Sequence, residues 1–116
     1  MTTTLYGIPN CDTVKKARTW LDKAGVKYVF HDFKKDGVDK KQLKDWSDAA
    51  GWQILLNKAG TPFRKLPDED KENLTDAKAR RLMLENPSVI KRPVLEKDGR
   101  LFVGFKPDEY AAIFGK

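Results

Sequence analysis

Leu5-Tyr6-Gly7-Ile8-Pro9-Asn10-Cys11-Asp12-Thr13-Val14-Lys15-Lys16-Ala17 is the stretch that decides the fold. Its start, Thr3 to Gly7, is short and β-prone and runs into Ile8-Pro9-Asn10, the signature of a strand ending in a loop. From Asp12 onward Val14, Ala17, Leu21 and Ala24 recur at helical spacing with Lys and Arg between them. Gly25 stops that helix. Val26 to Phe33 follows, and its apolar triplet Tyr28-Val29-Phe30 reads as a buried strand. Strand, helix and strand in this order form a βαβ unit, whose two strands should be parallel with a right-handed crossover.

Working outward, the middle of the chain reads as helical. Asp39 to Ala50 places Leu43, Trp46 and Ala50 on one face. Trp52-Gln53-Ile54-Leu55-Leu56 is a short apolar segment, and Asn57 to Pro67, with Gly60 and Pro62, reads as an ordered loop. Pro67 to Glu72 mixes charges and reads as a solvated turn. Thr75 suits the N-cap of a helix to Glu85, which Pro87 closes. Pro93 to Glu96 and Leu101 to Val103 flank Asp98-Gly99, a hairpin signal. Pro107 suits the first turn of a last helix, Asp108 to Phe114. The order is therefore βαβ, a mostly helical insertion around 38–88, then ββα. This is the order of the thioredoxin-like α/β fold, a mixed sheet with helices on its faces.

The chain has 116 residues, the size of one domain spanning 1–116, and its three Trp, three Tyr and six Phe suffice for a packed core. No apolar run approaches the roughly 20 residues of a membrane span. The N-terminal Met1-Thr2-Thr3-Thr4-Leu5 has neither a basic stretch nor a long apolar run, so no secretory signal is expected. The single cysteine excludes an internal disulfide and, with the missing signal, points to the reducing cytoplasm. Charge is basic, 23 Lys+Arg against 17 Asp+Glu for a net +6. Both signs are interspersed and no basic motif is interleaved with aromatics, so neither nucleic acid nor membrane is an expected partner. The excess charge suits a small acidic substrate equally well.

Cys11 carries the most chemistry. It stands after the first strand and at the entrance to the first helix, where unpaired N–H groups and the helix dipole favour a thiolate. Thr13 can offer a hydroxyl, and Lys15 adds positive charge one turn away; Asn10 and Lys106 are further candidates for the pocket wall. Arg92, directly before Pro93, can aim a guanidinium at an anion. The Arg92–Pro93 bond suits either a cis proline or a trans proline on an edge strand. His31, the one histidine, reads as a solvated strand-end residue, with a Cys–His pair the rarer alternative. One Cys and one His cannot build a standard zinc site, so no metal is expected.

Gly7 to Ala17, together with Lys91-Arg92-Pro93-Val94-Leu95, resembles the arsenate-reductase-like (ArsC/Spx/YffB) family of thioredoxin-fold proteins. Leu55-Leu56-Asn57-Lys58, Phe63-Arg64-Lys65-Leu66 and the ending Leu101 to Pro107 resemble its YffB-type branch. The resemblance implies a catalytic cysteine at Cys11 and an anion-binding arginine at Arg92 before a cis proline at Pro93. It also marks departures. Of the three arginines used by glutaredoxin-linked arsenate reductases, one falls at Asn57 and another at about Lys106, and Arg64 is the nearby candidate substitute. The C-x-x-C switch of Spx-like regulators would need a cysteine at Val14.

The expected activity is a glutathione-dependent thiol–disulfide oxidoreductase with one nucleophilic cysteine and no bound cofactor. With no second cysteine, the mixed disulfide on Cys11 must be resolved by an external thiol such as glutathione. Arg92, Arg64 and Lys15 are candidate clamps for its carboxylates. The expected partners are glutathione, a glutathionylated or oxidised substrate, and a glutaredoxin. The alternatives are a glutaredoxin-coupled arsenate reductase and a non-enzymatic, Spx-like regulator that binds RNA polymerase.

Overall fold

The computed structural model describes residues 3–116; Met1 and Thr2, part of the N-terminal stretch read above, lie outside the described residues. The elements run β1 (Thr3–Gly7), α1 (Asp12–Lys23), β2 (Val29–Asp32), α2 (Phe33–Asp36), α3 (Lys40–Ala50), α4 (Trp52–Leu55), α5 (Thr61–Arg64), α6 (Asp68–Lys71), α7 (Asp76–Glu85), a 3-10 turn (Pro87–Val89), β3 (Val94–Lys97), β4 (Arg100–Val103) and α8 (Pro107–Phe114). Contacts divide the chain into two compact units, one of Met1–Asp36 with Arg92–Lys116 and one of Gly37–Lys91.

The first unit is a four-stranded mixed sheet in the order β2-β1-β3-β4. β1 pairs parallel with β2 and antiparallel with β3, and β3 pairs antiparallel with β4. This is the thioredoxin-like topology. Asp98 and Gly99 turn the β3–β4 hairpin with φ of 51° and 80°. Two consecutive positive φ values are what a two-residue hairpin loop requires, and Asp-Gly supplies them cheaply.

Alternation along β1 sends Leu5 and Tyr6 to opposite faces of the sheet. Leu5, Ala17, Leu21, Leu95 and Tyr110 form a fully buried cluster that joins β1, α1, β3 and α8. Each large apolar side chain buried there contributes about 1.5–3 kcal/mol. On the other face the Tyr6 ring lies 5.0 Å from His31 and 6.1 Å from Phe33.

Tyr28-Val29-Phe30, expected to form a buried strand, does not. The strand begins only at Val29, none of its four residues is buried, and Val29 is 61% exposed. The reason is position: β2 is an edge strand, with one neighbour and an open flank.

The second unit is helical. α3 packs against α4 and α7, burying Leu43, Trp46, Leu55, Ala79, Leu82 and Met83. Asp39 caps α3 by accepting the Gln42 N–H at 2.9 Å, and Thr75 caps α7 by accepting the Lys78 N–H at 3.2 Å. The stretch expected to be a loop, Asn57 to Pro67, holds the single turn α5, and the expected turn Pro67 to Glu72 holds α6. Pro62 sits in the first turn of α5, where its fixed φ suits the helix, whereas Pro67 is the extended N-cap of α6 at φ −55° and ψ 147°. Among the described residues, no helix is long and apolar enough to cross a membrane.

Candidate functional site

The site is built where β1 hands over to α1. Gly7 ends the strand, and a Cβ placed on it would sit 2.7 Å from a methyl of Val14. The bare glycine lets the first turn of α1 close onto the strand. Cys11 is the N-cap, in extended conformation at φ −92° and ψ 126°. Its N–H donates to the Ile8 carbonyl at 3.3 Å, and its carbonyl accepts the Lys15 N–H at 2.9 Å. Both main-chain groups of the reactive residue are thus held, while its half-buried side chain makes no closing cap bond.

Several effects act on the sulfur. Burial is the largest single one and pushes the thiol pKa up. The Val14 N–H, the Arg92 guanidinium and the Thr13 N–H oppose it, each stabilising the ionised form. Together they prevail, and the thiol lies below its ordinary pKa. The cation and the open helix turn outweigh desolvation because each turns N–H donors toward the charged form.

Arg92 reaches this position from the start of the hairpin. The Arg92–Pro93 bond is cis, and the Pro93 carbonyl accepts the Gly104 N–H at 2.8 Å. The alternative of a trans proline on an edge strand falls away, because β3 is central, between β1 and β4.

The structure therefore brings Cys11, Thr13 and Arg92 together, with buried Pro93 next to Arg92. Thr13 acts through its backbone N–H rather than the hydroxyl expected of it. Val14, read from the sequence only as an inward apolar residue, contributes the most effective N–H; the helix-start pattern around Cys11 is the signal that would have found it. The other candidates are not among the groups that act on the sulfur. Asn10 is exposed in the turn before Cys11, and Lys106 is the exposed N-cap of α8. Lys15 contributes its N–H to the helix ladder, and its ammonium is not among the groups that act on the sulfur. Arg64 is exposed at the end of α5 in the second unit, where its carbonyl accepts from Lys71 Nζ at 3.1 Å. Asn57, also in that unit, donates its N–H to the Val89 carbonyl at 2.8 Å.

His31 is half-buried near the end of β2 and packs its ring on one side while remaining partly exposed. Its ring lies against Tyr6 and Phe33, and it is not among the groups that set the Cys11 pKa. Among the described residues, no group of three or more His, Cys, Asp or Glu is placed to hold a metal.

Comparison with known proteins follows this geometry. The ArsC family profile matches residues 6–113. The chain is 59% identical to the YFFB protein, whose solved structure superposes with a TM-score of 0.93 over 96% of this chain and 97% of that one. An arsenate reductase (ArsC) related protein from Brucella melitensis is 55% identical, with a TM-score of 0.79 over 98% and 95% of the two chains. The global transcriptional regulator Spx of Streptococcus agalactiae is 30% identical over 112 residues, 95% of this chain and 81% of that protein. A glutaredoxin from Archaeoglobus fulgidus, 13% identical with a TM-score of 0.52 over 97% and 84% of the chains, shares the fold alone.

Proposed function

The chain belongs to the ArsC family, and from that premise we propose that it is a glutathione-dependent thiol–disulfide oxidoreductase working through one sulfur, Cys11. The observation that carries this reading is the single thiol at the N-cap of α1 beside the Arg92 guanidinium, where that cation and the Val14 and Thr13 N–H groups lower its pKa. A thiol that ionises below its ordinary range supplies more of the thiolate, the nucleophile that disulfide exchange needs.

The chemistry has two exchanges. The Cys11 thiolate attacks the glutathionyl sulfur of a mixed disulfide; that S–S bond breaks, and the substrate leaves as a thiolate that takes a proton from water. A glutathione thiolate then attacks the glutathionyl sulfur on Cys11, which regenerates the Cys11 thiolate and releases oxidised glutathione. No second protein sulfur takes part, in keeping with the single cysteine. In this reading the guanidinium that stabilises the thiolate receives a glutathione carboxylate as the sulfur charge is spent.

Intact mass after incubation with oxidised glutathione tests this. One glutathione adduct is expected on the native chain, cleared by reduced glutathione, and none on Cys11→Ser. An adduct that reduced glutathione does not clear, or no adduct at all, defeats the reading.

Two other readings have support from particular relatives. The likeness to an arsenate reductase related protein favours arsenate as the oxidant, with a glutaredoxin completing the cycle. Against it, an oxyanion needs several charge-assisted donors to offset its desolvation, and Asn57 and Lys106 stand where the resemblance calls for arginines. Arsenate-dependent oxidation of glutathione in the presence of glutaredoxin would establish that reading. The likeness to Spx favours a regulator that binds RNA polymerase. Binding of purified polymerase by Cys11→Ser, with no thiol turnover by the native chain, would establish that one.

A further inference from the structure

A groove of about 420 Å³ runs along α1, the helix whose N-cap is the reactive cysteine. Its floor is apolar, made by Trp20 of α1 with Phe105 and Pro107 at the start of α8. That floor is held in place from beneath. The rings of Trp20 and Phe105 both meet Tyr110 edge-on, at 5.6 and 4.7 Å, and Tyr110 is fully buried. The rim is cationic, from Lys15, Lys16 and Lys23, and no acidic side chain lines it. Among the described residues, none of these three ammonium groups enters an ion pair, whereas Lys44, Lys71, Arg80, Arg81 and Lys97 all do.

The helix that lines the groove also carries the thiol at its start, and the rise along it selects the occupant. The i, i+4 row Cys11, Lys15, Thr19, Lys23 winds along α1 from the sulfur to the far end of the rim. At 1.5 Å of rise per residue this row spans roughly 18 Å. An extended polypeptide covers about 3.3 Å per residue, so a molecule with sulfur at Cys11 and charge at Lys23 is roughly six residues long. A tripeptide thiol does not reach.

We propose that this groove docks an acidic polypeptide segment, bearing one bulky apolar side chain, of the protein whose mixed disulfide Cys11 attacks. The apolar side chain lies on Trp20 and Phe105, and carboxylates meet the three lysines. The proposal rests on the oxidoreductase reading and adds to it the substrate class: a glutathionylated protein, not a small disulfide. In the step it serves, the Cys11 thiolate takes the glutathionyl sulfur and the docked segment leaves as its own thiolate, protonated by solvent.

The test uses the full chain and a hexapeptide with a glutathionylated cysteine followed by one glycine, three glutamates and one phenylalanine, alongside its glutamine counterpart and oxidised glutathione alone. Deglutathionylation of the acidic peptide should be faster than that of the glutamine peptide, and more so at low salt. Lys16→Glu with Lys23→Glu should slow the acidic peptide by about tenfold, the scale of losing rim charges from an interface, and leave oxidised glutathione unchanged. Lys34→Glu with Lys35→Glu on α2 alters net charge equally and should slow neither. Equal rates for the two peptides, or equal loss in both double variants, overturns the groove. Docking is also read without thiol chemistry, from the anisotropy of a labelled peptide with serine in place of cysteine. Saturable binding that weakens about tenfold in Lys16→Glu/Lys23→Glu upholds the groove even if Cys11 proves inert, and absence of saturable binding ends it even if Cys11 turns over.

Discussion

The guanidinium of Arg92, at the head of the β3–β4 hairpin, acts on the sulfur of Cys11, at the head of α1. The two lie at opposite ends of the sequence and meet because β1 and β3 are adjacent strands of one sheet. Removing the guanidinium leaves burial opposed by backbone N–H groups only. Arg92→Ala should therefore raise the midpoint of Cys11 alkylation against pH and cut glutathione-dependent turnover by about tenfold, the scale of one hydrogen bond to a charged group. Arg92→Lys restores the charge without the planar fork and should recover part of the loss. An unmoved alkylation midpoint in Arg92→Ala would show that the helix start alone sets the thiol.

Stability should follow the same thiol. The native chain holds Cys11 below the ordinary thiol pKa of 9.0, so folding favours the ionised sulfur. That contribution is fully present above the unfolded thiol's pKa and is lost as pH falls through the lower native value. The urea midpoint of the native chain should gain on that of Cys11→Ser as pH rises toward the ordinary thiol value, and lose the gain on acidification. A gap independent of pH would count against the depressed pKa.

Gly7 is expected to tolerate no side chain. The Cβ of Gly7→Ala would press on buried Val14 at 2.7 Å, and relief requires α1 to move away from β1. A cost of about 1–3 kcal/mol is expected from overpacking of this kind, together with slower alkylation of Cys11, because the displaced turn carries the Val14 and Thr13 N–H groups. Denaturation and alkylation measured on the same variant separate the two effects.

Tyr110 supplies an opposite pH dependence. Its hydroxyl is buried and has no hydrogen-bond partner among the described residues. Burial, and then the nearby Glu109 charge, push its pKa up. The neutral ring is thus favoured in the folded chain, a contribution fully present below the ordinary tyrosine pKa of 10.0 and lost as pH rises above it. Tyr110→Phe should be neutral to stabilising, by up to about 1 kcal/mol, and should flatten the decline of stability at alkaline pH. Destabilisation by more than this would mean the hydroxyl has a partner, such as a bound water.

In the second unit, Thr75→Ala should cost about 1 kcal/mol through loss of the α7 cap, while Cys11 alkylation stays as it is. A thermal melt paired with an alkylation rate reads both.

The sequence was most legible where local chemistry and topology agreed. Val14, Ala17 and Leu21 gave α1 because one burial stripe runs its whole length. Asp98-Gly99 gave the hairpin because few residue pairs accept two positive φ values. The family resemblance placed Arg92 beside Cys11. Less legible were features set by distant neighbours. Tyr28-Val29-Phe30 has the composition of a buried strand, and only the strand order reveals that its flank is open. The cis state of Arg92–Pro93 differs from trans by only about 1 kcal/mol locally, so packing elsewhere decides it. Thr13 offered a hydroxyl on paper, but a residue just inside a helix start presents its N–H to the cap position first.

Cys11 is anchored through its main chain. Its N–H is tied to Ile8 and its carbonyl to Lys15, so the sulfur can change partners without any thread of the scaffold being cut. The free and glutathionylated forms share one frame, and a cycle of exchange asks the chain to rearrange charge, not architecture.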